Sequence, residues 1–128
     1  LSSANEMQVG GNHYSAEYQH WDWVVDVRLP YHPARATAYV ARWRKKNGLQ
    51  DLQKGLHFMV KTLEIGKAPS LNKLEIEGVR FFTSRFAEAN GLDEQEAEFC
   101  LAVALGRYTK AKGIVASMVE EQTVGEAS

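Results

Sequence analysis

Two stretches flanking an Asn-Gly pair leave this chain little choice of fold. Along residues 34–46 the apolar positions Ala36, Tyr39, Val40 and Trp43 recur at i, i+3, i+4 and i+7, the spacing that lines one face of a 3.6-residue helix. From Leu49 onward, Leu52, Leu56, Met59 and Leu63 step by three and four, which predicts a second helix with one apolar seam, ending near Gly66. Asn47-Gly48 supplies a left-handed stop between them. So short a link makes the two helices antiparallel neighbours.

The flanking segments read as helical too. Residues 20–29 alternate too poorly for a strand, whereas Trp21, Val24, Val25 and Arg28 fall at helical spacing and predict a short helix ended by Pro30. Pro33 suits the first turn of the next helix. Residues 67–72 form a connector, and Asn72 with Glu75 has the form of a capping box opening a helix with Leu74, Phe82 and Phe86 inward, stopped at Asn90-Gly91. Asp93 with Glu96 repeats that signal for residues 94–105, with Ala97, Leu101, Ala104 and Leu105 inward, and Gly106 interrupts. A last helix over residues 107–121 carries Tyr108, Ala111, Val115, Met118 and Val119 on its apolar stripe, with a fraying polar tail over 123–128. Residues 1–18 show no sustained period and read as an irregular arm with one tight turn at Gly10-Gly11-Asn12. The expected fold is therefore all-α, a compact helical bundle of about five or six helices with an irregular N-terminal arm. Residues 1–66 form the arm and basic hairpin, and residues 67–128 an acidic helical extension packed in the same domain.

A length of 128 residues suits one domain with a real core. No apolar run reaches the length of a membrane span, and Leu1-Ser2-Ser3-Ala4-Asn5-Glu6 lacks the features of a signal peptide, so a cytoplasmic protein with no membrane partner is expected. The single Cys100, flanked by Phe99 and Leu101, reads as a buried thiol rather than a nucleophile.

The net charge of −1 hides an uneven distribution. Residues 1–74 hold ten Lys/Arg against six Asp/Glu, and residues 75–128 hold five against ten. The first half is thus suited to meet an anion, and the second to solvate the protein or neutralise a neighbouring subunit. Between Val27 and Gln50 lie Arg28, Arg35, Arg42, Arg44, Lys45 and Lys46 and no acid. On one continuous helix Arg35, Arg42 and Lys46 form a stripe beside Tyr39 and Trp43, where guanidinium groups and rings can share a nucleotide, the Arg forks on phosphate and the rings against a base. Gly10-Gly11-Asn12 allows successive backbone N–H groups to converge on an anion.

Other chemistry is less well served. His13, His20, His32 and His57 with Asp22 and Asp26 show no HExxH or CxxC spacing, so no protein-ligated metal is expected. A single His beside a phosphate, as donor or proton carrier, fits better. Asp51 and Lys54 form either a surface i, i+3 pair or, near Lys45 and Lys46, a place where an acid holds Mg²⁺ or orients an Arg. There is no GxxxxGK[ST] loop, which excludes a P-loop kinase, and no GxSxG, GxGxxG or zinc-deaminase signature. Glu94, Glu96 and Glu98 do not supply the facing carboxylates of an all-α nucleotide pyrophosphatase.

The run Val9-Gly10-Gly11-Asn12-His13-Tyr14, then His20-Trp21-Asp22-Trp23, then residues 39–54, YVARWRKKNGLQDLQK, resembles a family of small phage proteins of long-unassigned function that includes a nucleotide kinase lacking a P-loop. The similarity spans residues 7–65. It implies transfer of phosphoryl from an Mg²⁺-bound nucleoside triphosphate to deoxynucleoside monophosphates such as dGMP and dTMP, by a chain that forms a homo-oligomer. His13, Arg42 and Asp51 are the catalytic candidates that follow, and Gly10, Gly11, Asn12, Tyr14, Arg35, Tyr39, Trp43, Lys45, Lys46 and Lys54 the nucleotide-binding ones. Phosphoryl transfer demands mainly charge neutralisation and positioning, which a basic helix and a backbone nest can supply. One position departs: family members commonly carry Lys before Tyr-Val, and this chain has Ala38. The alternative expectation is a non-enzymatic phage effector that uses the same cations on nucleic acid, a signalling nucleotide or a host protein.

Overall fold

The computed structural model describes residues 17–127. Six α-helices follow in order: α1 (His20–Val27), α2 (Tyr31–Arg42), α3 (Leu49–Ile65), α4 (Lys73–Asn90), α5 (Glu94–Ala104) and α6 (Tyr108–Ala127), with one 3₁₀ turn (Trp43–Lys45) after α2. The fold is all-α, with no strand among the described residues. No helix among them is long and apolar enough to cross a membrane.

The α2–α3 hairpin forms the centre. Ala36 and Val40 are fully buried on α2, and Leu52 and Met59 on α3. The helices approach closely because Gly55 has no side chain: a Cβ there would lie 2.8 Å from Val40 Cγ2. The deepest line of α3 runs through Leu52, Gly55, Met59 and Thr62, with Leu56 and Leu63 half-buried beside it. α6 packs along α3, α5 along α6, and α1 lies on α4, which in turn packs on α5.

Local signals explain most boundaries. Both capping boxes form: Asn72 Oδ1 accepts from Glu75 N at 2.8 Å, and Asp93 Oδ1 from Glu96 N at 2.8 Å, each returned by the Glu carboxylate. Such caps satisfy backbone donors that a helix start leaves orphaned. Cys100 is buried, as expected, and burial pushes its thiol up in pKa.

Five expectations change, one of them on α5, where Phe99, Cys100, Ala102, Val103 and Ala104 are buried while Ala97, Leu101 and Leu105, expected inward, are half-buried. The α1 face is rotated: Trp21 and Val25 are exposed, and the core side chains are Trp23 and Val27. Eight residues allow several apolar stripes, and the pairing with α4 selects one. Trp23 stacks on Phe86 at 4.8 Å and 9°, and its Nε1 donates to Thr83 Oγ1 at 3.0 Å. Leu74, placed inward from sequence, is 77% exposed because Val79, Thr83 and Phe86 form the buried face of α4. The helix expected over 34–46 begins earlier, at Tyr31, and its α-helical part ends at Arg42, where the chain tightens into the 3₁₀ turn and Gly48 N–H reaches Trp43 O at 2.8 Å. Finally α6 continues to Ala127 where a fraying tail was expected.

Candidate functional site

The hairpin turn is organised by Asp51. It lies in the first turn of α3 and is fully buried. Its Oδ2 accepts from Asn47 N at 3.2 Å and its Oδ1 from Asn47 Nδ2 at 3.3 Å, while Arg42 Nε lies 3.5 Å from Oδ2. Asp51 thus joins the end of α2 to the start of α3. It pairs with Arg42 and Asn47 rather than with Lys54, so its oxygens are turned to protein donors.

Tyr39 is a second organiser. Its ring stacks on Phe58 at 5.8 Å and 16°, and three cations approach it: Arg35 Cζ at 5.0 Å, Arg42 Cζ at 4.7 Å and Lys54 Nζ at 5.5 Å. Arg35 Nη2 also donates to its hydroxyl at 2.8 Å. A ring surrounded by guanidinium groups holds them through its negative face. Tyr39, expected as a stacking surface for a base, here stacks on Phe58 and holds Arg35 and Arg42. Trp43 is likewise engaged, its Nε1 donating to Glu96 Oε2 at 2.6 Å, and Arg44 is paired with Asp93 and Glu96.

These contacts divide the basic run. Arg44 turns to the acids of α5, whereas Arg35, Arg42, Lys45 and Lys46 line one cleft of about 250 Å³ with Gln19, His20, Ala38, Ala41, Phe86 and Asn90. The stripe read from sequence supposed a continuous helix. With α2 ending at Arg42, Lys45 and Lys46 both line the cleft although neither belongs to an α-helix. Ala38 and Ala41 form the wall of α2 between the arginines, so the small residue at position 38 contributes space where a Lys would contribute charge.

No carboxylate is among the residues lining this cleft. Its donors are unspent: Arg35 Nε, Arg42 Nε and Gln19 Nε2 are buried with no hydrogen-bond partner, Arg42 Nε meeting Asp51 as an ion pair without hydrogen-bond alignment. Buried N–H groups are ordinarily satisfied. Arg35 Nε and Gln19 Nε2, both on residues that line the cleft, are left without an acceptor, and Arg42 Nε has only the Asp51 carboxylate nearby. Mg²⁺ takes oxygen ligands, and this nitrogen-rich lining, with Asp51 committed elsewhere, does not fit a protein-held Mg²⁺. Nor do the described residues contain any cluster of three His, Cys, Asp or Glu suited to a metal.

His20 borders the cleft as a neutral imidazole. Burial, reinforced by the Arg35 charge, lowers it from about 6.5 to about 4. The unfolded chain binds the extra proton between those values, so this group stabilises the fold above pH 6.5 and its contribution is lost as pH falls towards 4. Denaturant titrations should show stability dropping by about 2 kcal/mol over that window beyond the drop in His20→Gln. Equal slopes in the two proteins would refute the assignment.

The expected residues Gly10, Gly11, Asn12, His13 and Tyr14 lie outside the described residues. Of the others, Arg35, Arg42, Lys45 and Lys46 meet at the cleft, while Tyr39, Trp43, Asp51 and Lys54 stand behind or beside it. Sequence reasoning missed Gln19, Phe86 and Asn90 as cleft residues. Asn90 carried a signal, since Gly91 alone suffices as a helix stop and the Asn amide is free for another task. Comparison of the chain with protein-family models, with curated proteins and with solved structures finds no match.

Proposed function

We propose that this protein binds a nucleotide, with its phosphate held by Arg35, Arg42, Lys45 and Lys46. The observation that carries the reading is the convergence of Arg35, Arg42, Lys45 and Lys46 on one cleft whose lining holds no carboxylate. Arginine forks match phosphate oxygens, and the two exposed lysines add charge without fixed geometry. A compact ligand is favoured over a polyanion, because pairing of Arg44 with α5 breaks the basic run into a pocket instead of an extended track.

The resemblance to the phage nucleotide-kinase family supports the same ligand class and adds phosphoryl transfer as the reaction. Within the described residues, binding has the stronger support: Asp51 acts as a positioning residue for Arg42, and no carboxylate faces the cleft. Calorimetric titration with dGMP, dTMP and ATP should give one site per chain. Affinity should fall only modestly between low and physiological salt, as expected for few phosphate contacts. Absence of binding to every nucleotide sinks the proposal. Incubation with Mg²⁺-ATP and each deoxynucleoside monophosphate tests transfer separately, deoxynucleoside diphosphate being the product a kinase would form.

A further inference from the structure

The end of the cleft built by α1 and α4 differs from the cationic end. Ala38, Ala41 and Phe86 give it an apolar lining, and three polar groups join them. Gln19 is only 7% exposed, yet its Nε2 meets no acceptor. Asn90 offers the opposite polarity. Its Nδ2 donates to Tyr18 O at 2.7 Å and to Phe86 O at 3.0 Å. Two carbonyls on one side fix the orientation of the amide, which leaves Oδ1 as an acceptor with no donor among the described residues.

His20 adds a second acceptor. Thr37 Oγ1 donates its single proton to Ala34 O at 2.9 Å, so towards His20 Nε2, 2.8 Å away, it can only accept. The imidazole proton therefore resides on Nε2, and Nδ1 keeps its lone pair. Gln19, His20 and Asn90 line the same cleft as Ala38, Ala41 and Phe86, so one donor and two acceptors belong to residues around a partly apolar recess beside a set of cations. A sugar phosphate gives and takes hydrogen bonds through its hydroxyls but has no flat apolar face for that recess, and an inorganic phosphate has neither a flat face nor a fixed edge of donors and acceptors. A nucleobase has both.

We infer that the Gln19, His20 and Asn90 end of the cleft reads the edge of a nucleobase, Gln19 donating and Asn90 and His20 accepting, while the phosphate lies at the Lys45–Lys46 end. This rests on the nucleotide reading above. It makes Gln19 a specificity-determining residue, distinct from the groups that hold charge.

The test compares the four deoxynucleoside monophosphates with deoxyribose 5-phosphate by calorimetry, in the parent and in Gln19→Met, with thermal melts to verify that the variant folds. At least one nucleotide should bind the parent tenfold or more tightly than the sugar phosphate. Gln19→Met should cut that ratio by roughly three- to tenfold, the net worth of one hydrogen bond, with sugar-phosphate affinity unchanged. Equal affinity of the parent for nucleotides and sugar phosphate overturns base reading while leaving phosphate binding intact, and this comparison needs no variant. A Gln19→Met effect equal on both ligands overturns the role of Gln19. Failure of all these ligands to bind overturns the phosphate reading, and base reading with it.

Discussion

Trp23→Ala should lower the unfolding free energy by about 3–5 kcal/mol, the range for removing a large aromatic from a well-packed core. Trp23 is fully buried and is the main tie between α1 and α4, through its stacking on Phe86 and its hydrogen bond to Thr83. Removing it leaves a cavity and also an unpaired buried hydroxyl on Thr83. Trp23→Phe should retain most of the stacking and lose about 1–2 kcal/mol, reflecting the missing hydrogen bond and the smaller ring. Urea denaturation followed by far-ultraviolet circular dichroism measures both. If Trp23→Ala costs under 1 kcal/mol, roughly a surface substitution, the packing of α1 on α4 is not as described.

Lys45→Glu with Lys46→Glu should weaken nucleotide binding on the order of 100-fold, since each change removes a charge-assisted contact and adds repulsion. Both side chains are exposed, so the thermal midpoint should barely move, in keeping with substitutions outside the core. That contrast separates the two lysines from Arg42, whose ion pair with buried Asp51 mixes fold and site. Calorimetry at fixed salt gives the binding change. An affinity within twofold of the parent would remove these lysines from the site.

The helices were legible in sequence wherever a signal was local. Asn72 with Glu75 and Asp93 with Glu96 announce helix starts because the cap bonds run within four residues. The α2–α3 seam was legible because burial there repeats over several turns. What remained hidden depends on partners distant in the chain. Trp21 and Trp23 look equivalent in an eight-residue helix until Phe86 and Thr83 select one. The site follows the same division. Its cations stand out as an acid-free run, but periodicity could not foresee that Arg44 would turn to Asp93 and Glu96, or that Phe58 and the arginines would enclose Tyr39. Gln19 and Asn90 come together only because Asn90 reaches the Tyr18 carbonyl from 72 residues away.

That last contact bears on how such a protein diversifies. The four cations of the cleft lie within residues 35–46, whereas Phe86 and Asn90 come from α4. The cleft is thus encoded in two separate stretches of chain, a charged wall from α2 and the turn after it and an uncharged wall from α4. Substitutions on the α4 wall can reshape that face while the cations stay where the hairpin holds them.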